Sequence, residues 1–441
     1  MRRTTMIGSL LAAAGIATLI STVLVASAQT ATKVVFWDFF GGGDGIRMKQ
    51  IVDEYNASQT EIQVERTTLS WGAPFYTKIH TAVIAGETPD IMTYHVSAMP
   101  RGLALKDLRP ITDAELAGAG LKESDFQQNL VKSLKAIAKE QAGSSALYAI
   151  PLDTHTSVLY YNKVILKKAG LLGANGEPTG LTGLANFTKA LMTIKQKTGM
   201  LPMAFSSAQD SATQWRLWSS LVMQQGGSLV RGGKLDLSDV DGKGKAALQA
   251  MVGWSKNGLM AKNTTYPASV ALFTSGRAAF MFNGNWEVPT MVDLKKSGKL
   301  FDFGVASFPK LYANQSTWAD SHTLAIPNNS KTPMTPEKLA AVLKFVAYVN
   351  TTGGLGWAGG GHIPSYLPTQ KSGDFKSMEP NVEYSATSAS DAVYEPTVRM
   401  FGVGGPVYDA AGNTFLPALL GQVTVDQAIA KFKTTLQSLN K

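Results

Sequence analysis

Apolar positions along this chain fall into two rhythms. "KVVFWDFF", residues 33–40, is a short continuous run of the kind a buried strand makes, and "GGGDG", 41–45, breaks it. Met48, Ile51, Val52 and Tyr55 then recur at helical spacing. "EIQVERTTL", 61–69, sets Ile62 and Val64 against Gln63 and Glu65, the alternation of a second strand. Tyr76 to Ile84 reads as a helix ended by Gly86-Glu87-Thr88-Pro89, and "DIMTYH", 90–95, as a third strand. Strand, helix, strand, helix, strand predicts an α/β protein whose sheet is parallel and covered by helices.

The plan then repeats in kind. Phe126 to Glu140 predicts a helix, and "ALYAIPL" a strand stopped by Pro151. "SVLYYNKVILKKAGL", 157–171, runs from strand into helix, with Gly170 as its stop. Phe187 to Thr198 and Ala246 to Asn257 are helical. Thr335 caps a helix that Pro336 opens and that runs to Val349, with Leu339, Val342, Phe345, Val346 and Val349 on one face. Val425 to Leu439 makes a last amphipathic helix. In "ALFTSGRAAFMFNGNW", 271–286, Gly276 ends a helix and small Ala278 and Ala279 start a strand that delivers an Asn-Gly-Asn-Trp tip. There is no internal repeat and no low-complexity tract.

Composition adds place and size. Arg2 and Arg3 precede an apolar run from Met6 to Val25, and Ala26-Ser27-Ala28 supplies a cleavage site. This predicts a secretory signal peptide over residues 1–28, with a membrane anchor as the alternative. Beyond residue 28 no apolar run approaches spanning length. The chain has no cysteine, which removes disulfides, zinc–thiolate sites, cysteine nucleophiles and lipid attachment together. A free, unlipidated periplasmic protein is expected. The 441 residues exceed one ordinary core, so two domains are expected. The formal net charge of +9 is scattered, as in Lys167-Lys168, Lys243, Lys245 and Lys295-Lys296, and does not predict a nucleic-acid partner.

Ligands of open α/β sheets sit beyond the carboxyl ends of strands. There the chain places Trp37, Asp38, Phe39 and Phe40; Trp71-Gly72; Tyr94 and His95; Asp153, Thr154 and His155; and Gln209, Asp210, Trp215 and Trp218. Asn283, Asn285 and Trp286 follow, then Trp318, Asp320 and His322, then Trp357, His362 and Tyr366. Any one tryptophan reads as a packing residue. Taken together, rings beside Asn, Asp, Gln and His at several strand ends predict a polar, aromatic-lined cleft. Sugars match it, because hydroxyls need directed donors and acceptors while the C–H face of a pyranose lies on a ring.

Other chemistries are weaker. The chain has no phosphate-binding loop, no H-E-x-x-H and no G-x-S-x-G elbow. Four histidines fall at the strand ends, but no pair has the spacing of a known zinc site, so neither metal nor cofactor is expected. Gly41-Gly42-Gly43 before a helix offers N–H groups to an anion, yet Asp44 opposes a phosphate and a bare turn is the simpler reading. Asp38, Asp153, Asp210 and Asp320 leave a glycosidase carboxylate pair open.

Three stretches carry a resemblance: "FTSGRAAFMFNGNW", "PLDTHTSVLYYNKVILKKAGL" and "AGETPDIM". In order and spacing they are similar to family 1 of the extracellular solute-binding proteins of ABC importers, the maltose-binding-protein-like group, whose ligands are mostly carbohydrates. Position 280, usually Met in that family, is Phe here. The resemblance implies a two-lobe periplasmic binding protein fold of type II, each lobe a mostly parallel sheet flanked by helices, with the ligand cleft between lobes. It places lobe one at about 29–150 plus 319–378, and lobe two at about 151–318 plus 379–441.

The expectation is a monomeric periplasmic sugar-binding protein without catalysis, which closes on a mono- or oligosaccharide and docks on the membrane subunits of an ABC permease. The expected ligand-binding residues are Trp37, Asp38, Trp71, His95, Asp153, His155, Trp215, Asn283, Trp286, Trp318, Gly361 and His362. Trp71, Trp215 and Trp286 would stack on the sugar, although Trp286 also reads as a lid on lobe two's own core. Two alternatives stand: a binder of glycerol-3-phosphate or its diesters, served by Arg399 or Arg101, and a secreted glycoside hydrolase.

Overall fold

The first apolar run becomes strand β1 (Thr32–Asp38) in a computed structural model that describes residues 31–440. The signal peptide expected over residues 1–28 lies outside the described residues. Val34, Phe36 and Asp38 of β1 turn inward, and the helix Gly42–Ser58 covers them with Met48, Ile51, Val52 and Tyr55, the residues its spacing picked out. β2 (Ile62–Thr68) and β3 (Ile91–His95) flank β1, both parallel to it. The remaining strands are β4 (Ile150–Pro151), β5 (Asp153–Asn162), β6 (Leu201–Ala204), a small hairpin of β7 (Val230–Arg231) and β8 (Lys234–Leu235), β9 (Ala278–Gly284), β10 (Phe303–Ser307), β11 (Thr317–Asp320), β12 (His322–Ala325), β13 (Ile363–Pro364) and β14 (Ala392–Tyr394).

Two sheets result. The first has the order β2-β1-β3-β12-β4, and the second β14-β11-β5-β9-β6, with β10 and β13 also on β5. β6–β9 and β11–β14 are parallel, whereas β5 pairs antiparallel with β9, β10, β11 and β13. Each sheet has its own apolar interior. One holds Phe36, Met48, Ile79, Leu134, Phe345 and Val346; the other holds Leu159, Phe187, Trp218, Trp254, Phe280 and Phe432.

The chain passes between the sheets at adjacent points. β4 belongs to the first sheet and β5 to the second, with only Leu152 between them; β11 and β12 repeat this with only Ser321 between them. The Leu152 N–H donates to the His322 carbonyl (2.9 Å), and the Ser365 N–H donates to the Leu152 carbonyl (3.1 Å). Three segments therefore lie side by side where the two halves meet.

Local signals acted as read. Gly170 and Gly276 end their helices with φ of 73° and 71°, and the Thr335 side chain accepts from the Lys338 N–H (3.2 Å). Three stretches differ. Trp318, Asp320 and His322, placed beyond strand ends by the sequence reading, lie within β11 and β12 themselves, because this stretch bridges the sheets. "ALYAIPL" contributes only Ile150 and Pro151 to a strand. Trp215 and Trp218 lie inside the helix Ser211–Gln224, buried on nearly every side. No helix among the described residues is long and apolar enough to cross a membrane.

Candidate functional site

A cavity of about 580 Å³ opens between the two cores, directly over the crossing strands. Its floor is made of imidazoles. His95 ends β3, His155 lies on β5 and His322 starts β12. The antiparallel register sets His322 opposite His95, and Asp320 opposite His155. Ring centroids are 4.9 Å apart for His95–His322, 5.7 Å for His95–His155 and 4.1 Å for the stacked pair His155–His322. Phe39 stacks on His95 at 4.6 Å, and Phe40 meets His322 edge-on at 5.0 Å.

The first wall is Phe39 to Asp44 and Thr68 to Trp71; the second is Gln209, Asp210, Ala212, Arg216, Tyr266, Trp286 and Glu287. Gln209 takes φ +58°, a sparsely populated conformation for a residue with a side chain, at the rim of the second wall. Asp210 caps the helix behind it, accepting from the Thr213 N–H (3.0 Å) and hydroxyl (2.7 Å). The Trp286 indole N–H donates to the Tyr266 hydroxyl (2.8 Å), which donates to Glu287 (2.6 Å). This chain of bonds fixes the Trp286 ring in the wall. The Arg216 guanidinium lies 4.4, 4.6 and 5.5 Å from the rings of Trp318, Trp286 and Trp71, a cation held over three aromatic faces. Its Nε has no hydrogen-bond partner.

Burial shapes the charges. It pushes His155 down to about 3 and His95 well below the ordinary histidine range, so both rings are neutral near pH 7. Burial alone would raise Asp153, but His322 and His362 beside it outweigh that and hold it well below the usual carboxylate range. Burial also lowers His362, and here Asp44 and Asp153 win and raise it. Beneath the floor, Asp153 accepts from His322 Nδ1 (2.8 Å), His155 Nδ1 (3.1 Å) and Trp357 Nε1 (2.8 Å). Asp153, His155, His322 and His362 bring four ligand atoms within 4.8 Å of one another, so they have the donor set to hold a metal ion.

The sequence profile of the bacterial extracellular solute-binding proteins matches residues 50–365. The chain belongs to that family. It is 27% identical over 185 residues to the sn-glycerol-3-phosphate-binding periplasmic protein of Pectobacterium atrosepticum, covering 40% of this chain and 39% of that one. It is 27% identical over 212 residues to the arabinooligosaccharide-binding protein of Bacillus subtilis, covering 47% and 44%. The chain thus spans less than half the length of these curated relatives. The maltose-bound MalE3 structure of T. maritima superposes with a TM-score of 0.78 at 21% identity, covering 93% of this chain and all of that one. At that identity the likeness is one of fold, and it bears out the two-lobe binding-protein architecture.

The family's cleft gathers some expected residues and not others. Trp71, His95, His155 and Trp286 line the cavity. Asp153 and His362 lie just below it, and Trp318 backs Arg216. Asn283 Oδ1 lies 3.2 Å from the Tyr266 hydroxyl, so it packs behind a wall residue and does not line the cavity itself. Gly361 is a packing residue with φ +88°; a Cβ there would meet the Asn285 carbonyl oxygen at 2.1 Å. Asp38 turns into lobe one and is paired with Arg66, while Trp37, on the other face of β1, packs on the same core under Lys78.

Trp215 is not a platform in this cleft. Its indole N–H donates to Glu395 (2.9 Å) and its ring lies 5.5 Å from Trp218, because the buried helix turns it into its own core. Arg101 is committed to the Gly404 and Val403 carbonyls, and Arg399 to Gln141, so neither reaches the cavity. The cavity's cation is Arg216, which the sequence reading passed over along with Tyr266 and Glu287. A signal was present: Arg216 is the lone charge between two tryptophans in an apolar helix, and a buried charge needs a reason. The four strand-end histidines converge although no two of them have metal-site spacing, because each comes from a different segment.

Proposed function

We propose that this chain is the periplasmic binding component of an ABC importer and takes a neutral mono- or oligosaccharide between its two lobes. The observation that carries this is the composition of one cavity. Trp71 and Trp286 offer broad rings on opposite walls, and His95, His155, His322, Gln209, Asp210 and Glu287 offer directed polar groups. The lobes comprise about 29–150 plus 319–378 and about 151–318 plus 379–441. They open and close about the paired crossings at Leu152 and Ser321. The arabinooligosaccharide-binding relative supports a carbohydrate ligand. Closed protein would dock on the permease subunits, and no chemistry would be done on the ligand.

Arg216 favours one second reading, an anionic ligand such as glycerol-3-phosphate, in line with the glycerol-3-phosphate-binding relative. Its guanidinium forms no ion pair with a carboxylate among the described residues, and its Nε has no hydrogen-bond partner. Tryptophan fluorescence of the mature protein, titrated with a carbohydrate panel and with glycerol phosphates, separates the two. Saturable quenching by a sugar, without competition by glycerol phosphate and without cleavage products, is the expected result. Competition by glycerol phosphate alone replaces the sugar with an anion, and turnover of the sugar at enzyme-like rates removes the importer reading.

A further inference from the structure

The carboxylate at the hinge is faced by five nitrogens. Asp153 faces His322 Nδ1 at 2.8 Å, His155 Nδ1 at 3.1 Å, His362 Nδ1 at 3.3 Å, Trp357 Nε1 at 2.8 Å and the His322 backbone N–H at 3.0 Å. An ionised carboxylate offers about four lone-pair sites. The three imidazoles all turn the same nitrogen toward one point, and that point is buried: Asp153, His155 and His362 are 0–1% exposed and His322 is 5% exposed.

One of these nitrogens is an orphan. His362 Nδ1 is buried without a hydrogen-bond partner. Its other nitrogen, Nε2, faces Asp44 Oδ1 at 3.0 Å. A neutral ring donating Nε2–H to Asp44 leaves the Nδ1 lone pair aimed at Asp153, His155 and His322. A carboxylate behind an imidazole is how proteins orient a metal-binding histidine. The ring is held from the side as well, since Trp357 stacks on it at 4.5 Å and 1°. The oxygen-to-nitrogen separations of 2.8–3.3 Å are close to the edge of a tetrahedron around an ion with bonds of ~2.0–2.1 Å, which is about 3.3 Å.

We propose that Asp153, His155, His322 and His362 form a tetrahedral site for a divalent transition ion of the zinc class, buried at the hinge beneath the ligand cavity. Three imidazoles and one carboxylate suit zinc, cobalt and nickel better than calcium or magnesium. Binding moves the His155 and His322 protons from Nδ1 to Nε2, on the cavity side, and any proton beyond a neutral ring leaves to solvent. The ion would tie together the β4–β5 crossing, the β11–β12 crossing and the segment carrying β13. It would thereby fix the angle about which the lobes move. A second group, His95, His155 and Asp320, shares His155, but it has three members, and His95 Nδ1 is already engaged by the Tyr76 hydroxyl at 2.6 Å.

The test uses mature, tag-free full chain, stripped with a chelator and titrated with zinc and separately with cobalt, with no sugar present, so that its outcome is independent of the sugar reading. The expected result is one zinc per chain and visible cobalt absorption of tetrahedral character. His322→Ala and His362→Ala should each weaken zinc by at least ~tenfold, while His80→Ala, at a histidine outside both the cluster and the cavity, should not. X-ray absorption at the zinc edge of the wild-type protein should show imidazoles and one carboxylate oxygen, and it decides the matter if the variants do not fold. Absence of stoichiometric zinc, a zinc shell without imidazole, or undiminished binding by folded His322→Ala and His362→Ala would overturn the site.

Discussion

Single side chains set the properties of this cleft through burial and pairing. Glu395 is fully enclosed and accepts from Trp215 Nε1 (2.9 Å), Trp318 Nε1 and the Gly402 N–H (3.3 Å). Burial raises it to about 7 in spite of those donors. A carboxyl whose folded value exceeds its unfolded value of ~4.3 holds its proton more tightly when folded. Its contribution to stability is therefore fully present below the unfolded value, declines as pH rises through about 7, and is level above that. Thermal unfolding should show the melting temperature of wild type, relative to Glu395→Gln, falling between ~pH 5 and ~pH 8; a constant difference would mean Glu395 is ionised in the folded chain throughout. The residue scale is also where the sequence was hardest to read. Trp215 and Arg216 are neighbours on one helix, yet one turns to the core and the other to the cavity. Only the packing of that helix against its sheet decides which.

Elements were far more legible, because their signals are local. Helical spacing picked out the buried face of Gly42–Ser58, glycine marked the helix stops at Gly170 and Gly276, and the cap at Thr335 was visible in Thr335-Pro336. Thr335→Ala should cost about 1 kcal/mol, read as a shift in the denaturant midpoint with no change in slope. An unchanged midpoint would show that solvent replaces the cap. Gly361→Ala should be much more damaging, since it meets both a φ of +88° and a backbone oxygen at 2.1 Å. Retention of the wild-type midpoint there would show that the turn relaxes. The bridging strands were not legible. β11 and β12 look like a polar loop in sequence, since Ser316, Asp320, Ser321 and His322 interrupt them, and they are strands because each end pairs in a different sheet.

At the scale of the whole molecule, the two interiors touch across the cleft through small contacts. Arg47 of the first lobe pairs with Asp293 of the second at 2.8 Å, and Gly43 lies so close to Pro289 that a Cβ would fall 2.5 Å from its Cβ. Gly43 sits in ordinary helical backbone, so Gly43→Ala should fold normally and hold the lobes apart. Small-angle scattering should report a larger radius of gyration than wild type in the presence of ligand; identical curves would show that closure does not depend on that contact. Chain length led to the expectation of two domains, and their discontinuity was implied only by the resemblance. The claim on which everything rests is that rings from both halves grip one sugar. Titration calorimetry of wild type and Trp286→Ala against a panel of neutral oligosaccharides tests it most directly. The account predicts one-to-one binding of at least one sugar, weakened in the variant by on the order of 2 kcal/mol, or ~30-fold. Failure of every sugar to bind, or equal affinity in the two proteins, would contradict it.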